Sequence, residues 1–174
     1  MRVRSMIAAA FFIGASLAAV SSASAQGEGP GDPTIASEED GKYFDADGDP
    51  TFKFPEDGTV DWYTFSGYRR YHADCHVCHG PDGMGSSYAP AIAASMKRLT
   101  YPEFLEVVSS GRQSPDASKV MPAFGTNLNV MCYIDDIYIY LRARAQGDIP
   151  RGRPPQREEK PDAYTEAEAA CMGS

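Results

Sequence analysis

Histidine is scarce in this 174-residue chain: there are three, His72, His76 and His79, and all fall in one short segment. A site that needs histidines from distant segments is excluded. Basic residues are in deficit too, with 16 Lys and Arg against 24 Asp and Glu and a formal net charge of −8. An acidic surface disfavours nucleic acid and anionic membrane, which are themselves polyanions. It is compatible both with simple solubility and with steering of a basic partner. Long apolar runs are missing after Met6–Val20, and nothing later approaches the roughly 20 apolar residues a membrane span needs, so no membrane insertion is expected. No internal repeat occurs. Apart from one hairpin there is no convincing strand pattern, which predicts a mainly α fold.

What is present begins with an export leader. Arg2 and Arg4 form a basic n-region, Met6–Val20 is an apolar run of about 15 residues, and Ala23-Ser24-Ala25 offers small residues for cleavage before Gln26. Residues 1–25 are therefore expected to be a signal peptide, with a periplasmic mature chain in a compartment that permits disulfides. Two of the cations leave with the leader and none of the acids does, so the balance becomes −10. The remainder suits one domain with its own core. Residues 26–42, rich in Gly, Pro and acid, are expected to be a flexible arm. Residues 43–60 (YFDADGDPTFKF and following) read as a hairpin extension turning at Asp47-Gly48. Asp45, Asp47, Asp49 and Glu56 approach a calcium-loop spacing, but Pro50 stands where that loop needs glycine.

Helical signals fill residues 61–145. Asp61 is a candidate N-cap for a helix in which Phe65, Tyr68 and Tyr71 recur at helical spacing up to Cys75. Thr100 with Glu103 forms a capping box, and Gly111 supplies a stop. Val130 to Arg144 predicts the strongest helix. Residues 146–174 read as a Pro-rich tail with a short helix over Thr165 to Met172.

The segment YHADCHVCHG places Cys75 and Cys78 three apart with His79 directly after. A structural zinc site needs four ligands, and Cys132 and Cys171 stand alone with no histidine nearby. A thioredoxin-like dithiol belongs to a βαβ pattern that is absent, and it leaves His79 unused. A covalently attached haem uses every part of the motif: both thiols form thioethers to the porphyrin, and His79 binds iron from the proximal side. One haem c is the expected cofactor. His72 and His76 are tied to the proximal side, so the sixth ligand must be another residue type. Met84 follows His79 too closely, Met131 begins a helix, and Met96 lies in a polar segment. Met121 sits in SKVMPAFGTN, where Pro122 favours an extended backbone that can project its sulfur. His79/Met121 ligation leaves the iron no open position, which points to one-electron transfer rather than enzymatic oxygen or peroxide chemistry.

At these residues the chain resembles the class I cytochromes c. Gly67, Tyr71 and Cys75 repeat that family's glycine–aromatic–cysteine steps, and Ile137 with Tyr140 match the aliphatic–aromatic pair of its last helix. The resemblance spans residues 61–144 and implies the class I fold, here with an N-terminal β-hairpin extension and a C-terminal tail. It also implies that Pro90, in SSYAPAI, orients His79 through its carbonyl. DWYTFSGYRRYH, CHVCHGPDGMGSSYAPAI, VMPAFGTNLNVMCYIDDIYIYLRARA and IPRGRP further resemble the four-cysteine cytochromes of methanol metabolism, relatives of cytochrome cL. That likeness implies a PQQ-dependent methanol dehydrogenase, particularly of the lanthanide type, as electron donor, and another cytochrome or a terminal oxidase as acceptor. It implies in addition a disulfide between Cys132 and Cys171 that staples the tail to the domain. Arg112 is a candidate for neutralising a haem propionate, with Arg142 or a tail arginine as alternatives. Docking is expected at the edge beside Cys75, His76 and Cys78. A general cytochrome c feeding an oxidase, and more remotely a haem peroxidase, are the rival readings.

Overall fold

A computed structural model describes residues 29–53 and 57–173. The expected leader and residues 26–28 of the arm lie outside the described residues. The rest of the arm differs from the expectation of flexibility. Strand β1 (Ser37–Glu39) pairs antiparallel with β2 (Lys42–Phe44), the turn between them being Asp40 and Gly41 at φ 52° and 78°. Two consecutive positive φ angles suit a tight two-residue hairpin, so this Asp-Gly pair is the same kind of signal as Asp47-Gly48.

β2 then pairs antiparallel with β3 (Pro50–Thr51) in the register Tyr43↔Thr51 and Phe44↔Pro50, giving the expected hairpin. Its turn is organised by Asp45, whose carboxylate accepts from the Asp47 and Asp49 amides at 3.0 and 2.9 Å. The buried Asp45 Oδ2 also lies 2.8 Å from Arg142 Nη2 in ion-pair, though not hydrogen-bond, geometry. The aspartate spacing thus serves a turn and an ion pair.

Strand β4 (Thr59–Val60) leads into helix α1 (Trp62–Asp74), capped by Asp61 accepting from the Thr64 amide at 2.8 Å. Helix α2 (His76–His79) follows, then a 3-10 turn over Pro81–Gly83 and helix α3 (Ile92–Ser95). Helix α4 (Tyr101–Ser110) has the expected Thr100–Glu103 capping box and ends at Gly111. Strands β5 (Arg112–Gln113) and β6 (Val120–Met121) form an antiparallel ladder. The helix expected from Val130 is two helices, α5 (Leu128–Met131) and α6 (Ile134–Gln146). The break falls at Cys132–Tyr133, where Tyr133 leaves helical geometry at φ −129° and Cys132 turns to meet Cys171. Strand β7 (Gln156–Arg157) pairs parallel with β4, and α7 (Asp162–Met172) starts directly after Pro161. Strands β1 and β4 to β7 had no counterpart in the sequence pattern. Apart from three-residue β1 they span two residues each, too short to show a period-two alternation.

The core lies where α1 crosses α6, with Phe65, Tyr71, Ile137, Tyr140 and Leu141 buried. Gly67 permits that crossing. A Cβ there would stand 1.8 Å from the Asp136 carbonyl oxygen and 2.7 Å from Tyr140 Cβ, so no side chain fits. The disulfide Cys132–Cys171 joins the turn before α6 to α7 across a separation of 39 residues. Among the described residues no helix is long and apolar enough to cross a membrane.

Candidate functional site

α1 delivers Cys75 at its C-cap, and the next turn of helix, α2, presents Cys78 and His79. Tyr71, fully buried, donates its hydroxyl to the Gly80 carbonyl at 2.6 Å and ties α1 to the turn after His79. Cys75 is mostly enclosed while Cys78 is exposed, and both thiols are unpaired. Burial, then the negative charges of Asp74 and Cys78, push the Cys75 thiol up to about 12. Cys132 and Cys171 are bonded to each other, and among the described residues no three Cys, His, Asp or Glu gather into a metal-ligand cluster. The zinc alternative thus loses its remaining cysteines.

His79 is set by its other nitrogen. Nδ1 lies 2.9 Å from the Pro90 carbonyl oxygen, and since that oxygen can only accept, Nδ1 carries the proton. Nε2 is left with its lone pair for a metal, the arrangement in which a carbonyl fixes both tautomer and ring plane. His72 is engaged elsewhere. Its Nδ1 donates to the Tyr68 carbonyl at 2.8 Å, and Nε2 faces the Asp82 amide at 3.4 Å. His76 is exposed, its ring centroid 5.5 Å from that of His72.

Met121 lies on β6, opposite Arg112 of β5, and is half-buried against the core. Its backbone is extended, as Pro122 requires. The segment is pinned to the end of α4 by Phe124 N–H to Val108 O and Gly125 N–H to Ser109 O, each 3.0 Å. A Cβ on Gly111, at φ 74°, would sit 2.6 Å from the Met121 carbonyl oxygen, so only glycine allows this approach. Met96 is fully buried in the core and Met131 lies on α5. Arg112 is exposed.

Arg142, an alternative candidate for a haem propionate, lies in the interior. It is fully buried, paired with Asp45, and donates to the carbonyls of Pro50 at 3.1 Å and Pro30 at 2.5 Å. Its guanidinium braces the N-terminal extension and is removed from the propionate candidates. Trp62 packs edge-on against Tyr164 of α7 at 5.7 Å, on the tail side of the core.

One buried group escaped the sequence reading. Asp82, at φ 59° in the 3-10 turn after His79, accepts from Gly152 N–H at 3.0 Å, Arg151 Nε at 3.3 Å and the Tyr140 hydroxyl at 3.3 Å. Burial raises its pKa, but the Gly152 and Arg151 hydrogen bonds and the charge of Arg144 outweigh it and hold the carboxyl below its ordinary range. The only local signal was the turn sequence Pro-Asp-Gly; its hydrogen-bond partners come from two distant segments, the tail at Arg151–Gly152 and α6.

The donor set therefore fits a covalently held haem: two unpaired thiols three residues apart and an imidazole with a free Nε2. Residues 65–141 match the family described as cytochrome c oxidase, cbb3-type, subunit III. Cytochrome c-553I of Paracoccus denitrificans is 58% identical over 136 residues, covering 77% of this chain and 60% of that protein. The match thus spans about three fifths of that relative's length. Cytochrome c-555 of Methylococcus capsulatus (strain Bath) is 38% identical over 104 residues, 59% of this chain and 76% of that protein. The crystal structure of the c-type cytochrome XoxG from Methylobacterium extorquens AM1 aligns with a TM-score of 0.76 and 59% identity, over 80% of this chain and 86% of that one. With the helical fold, the cysteine–histidine turn and these relatives together, the chain belongs to the class I c-type cytochromes, electron-transfer proteins that carry covalent haem c.

Proposed function

We propose that this protein is a periplasmic single-electron carrier whose haem is tethered by Cys75 and Cys78 and ligated by His79 Nε2 and Met121 sulfur. The observation that carries the reading is the 2.9 Å contact of His79 Nδ1 with the Pro90 carbonyl, which leaves Nε2 free to coordinate, as this reading requires. Bound haem c supplies a reversible one-electron change at iron. The chain's own work is to hold the ligands still. Pro90 sets the imidazole plane, and Gly111 with the α4 contacts sets the extended segment bearing Met121. With His79 and Met121 both holding the iron, no position would be left for a small molecule, which would favour electron transfer over reaction. Arg112, facing Met121 across the β5–β6 ladder, is the candidate to balance a propionate.

The likeness to the four-cysteine methanol cytochromes, joined by the alignment with XoxG, supports a PQQ-dependent methanol dehydrogenase as donor. A further cytochrome or an oxidase then serves as acceptor. Mixing oxidised protein with that dehydrogenase, methanol and no mediator should reduce the haem within seconds. Reduction by ascorbate but not by the enzyme would leave a general cytochrome c and remove the methanol assignment. Met121→Ala should abolish the long-wavelength thioether-to-iron band and open the iron to cyanide. A variant with an unchanged spectrum would assign the sixth ligand elsewhere.

A further inference from the structure

The tail sequence IPRGRPPQR carries Arg151, Arg153 and Arg157, all exposed. Arg151 Nε lies 3.3 Å from Asp82 Oδ2 and the next amide donates to Asp82 Oδ1, so this strip starts against the turn that follows His79. The Arg153 guanidinium carbon is 5.2 Å from the centroid of Phe65. That of Arg157 is 5.0 Å from the same ring and 4.6 Å from the centroid of Trp62. Two cations thus share one aromatic platform. Among the described residues neither has a carboxylate partner; the polar contact of Arg157 is with the Glu158 carbonyl at 3.2 Å.

In a chain with 24 acidic residues, two exposed arginines gathered at one aromatic ring run against the general charge. Their contact with the aromatic rings restrains each guanidinium. Its N–H edges then remain free in the fork geometry that matches carboxylates. The backbone beneath is held as well, by buried Pro154 and by the parallel pairing of β7 with β4. Such preorganisation lowers the ordering cost of docking.

We propose that Arg153 and Arg157 form a docking surface for a carboxylate-rich face of a protein redox partner, opposite in sign to the molecule's net charge. The inference rests on the haem assignment at Cys75, Cys78 and His79: the strip starts with Arg151 against the turn after His79 and runs from there to the N-terminal end of α1, where Arg153 and Arg157 lie over Phe65 and Trp62. Partners of either sign could then be accommodated on different faces.

Film voltammetry of the intact holoprotein tests this, on gold coated with carboxylate-terminated or amine-terminated monolayers at low ionic strength. The native protein should give a reversible haem wave on the carboxylate film despite its negative charge, fading as salt approaches about 0.1 M, where the Debye length is about 10 Å. Arg153→Gln/Arg157→Gln should lose about tenfold in electron-transfer rate on the carboxylate film and nothing on the amine film. Arg153→Lys/Arg157→Lys, which keeps charge without the fork, should fall between, and thermal unfolding of each variant verifies that it remains folded. A native wave on the amine film alone, or a Gln variant undiminished on carboxylate, overturns the proposal. A salt-sensitive homodimer that the Gln variant dissolves assigns the strip to self-association and overturns it too. No wave on either film together with no Soret band would instead refute the haem assignment itself.

Discussion

Removing the Cys132–Cys171 bridge, by replacing both cysteines with serine, tests whether the tail is part of the cooperative fold. The bridge spans 39 residues, and loop-closure entropy for that length amounts to about 13 cal/mol/K, or about 4 kcal/mol at 25 °C. Chain contacts would still hold α7. Tyr164 bonds Asp136 at 2.7 Å and Ser66 at 2.6 Å, while Glu168 accepts from Tyr133 at 2.7 Å, Arg70 at 3.1 Å and Lys160 at 2.5 Å. The loss should therefore be felt by the whole molecule. With a urea slope of roughly 2 kcal/mol/M, the unfolding midpoint should fall by roughly 2 M, and the slope should rise as the unfolded chain expands. Trp62, packed on Tyr164, reports tail release by fluorescence, and amide exchange reports α1 and α6. Protection lost in α7 alone, or a midpoint within about 0.5 M of the native value, would refute the reasoning.

Gly67→Ala places a carbon 1.8 Å from the Asp136 carbonyl and must part α1 from α6; a loss above about 4 kcal/mol in urea unfolding is expected, and one below about 1 kcal/mol would contradict the crossing. Arg142→Ala leaves Asp45 buried without its cation and should cost about 3–5 kcal/mol by the same measurement, whereas a near-neutral result would mean the pair is not dry. Burial lifts the Asp136 carboxyl to about 7, against the pull of hydrogen bonds from Ser66 and Tyr164. Its folded value lies above its unfolded one, so its stabilisation is full below about pH 4 and is lost as pH rises through about 7. The unfolding free energy of Asp136→Asn relative to native should accordingly climb between those pH values and level off beyond; a flat or falling difference would sink the assignment.

Local chemistry made much of the helical frame readable. Asp61, the Thr100–Glu103 box and Gly111 each satisfy orphaned backbone groups at a helix end, a need that depends only on neighbours in sequence. The Asp47-Gly48 turn was legible for the same reason, and Asp40-Gly41 carried the same signal under an acidic composition that suggested flexibility. Long-range pairings were not legible. Arg142 looks like any solvated arginine until Asp45 and two carbonyls from the N-terminal extension surround it. Asp82 looks like an ordinary turn residue until Arg151, Gly152 and Tyr140 converge on it. The cysteine–histidine turn is compact in sequence, and so could be read directly. The Pro90 contact and the close approach at Gly67 were visible only through family likeness, because no local rule says which proline or glycine another segment will meet.

Helix α6 links these parts physically. Asp135 takes Lys42 at 2.5 Å from the N-terminal sheet and the Tyr101 hydroxyl from α4. One residue on, Asp136 takes Tyr164 from the tail. A turn later Tyr140 reaches Asp82 beside His79, and Arg142 closes on Asp45. Four segments distant in sequence are thus referenced to one rigid rod. Asp82 is the point where rod, tail and the turn after His79 meet, so displacing it would release Arg151 and loosen the chain between His79 and Pro90. An imidazole whose plane is set by a carbonyl eleven residues away keeps its orientation only while that chain is held. The extensions at both ends are therefore tied to the turn after His79 through α6 and Asp82.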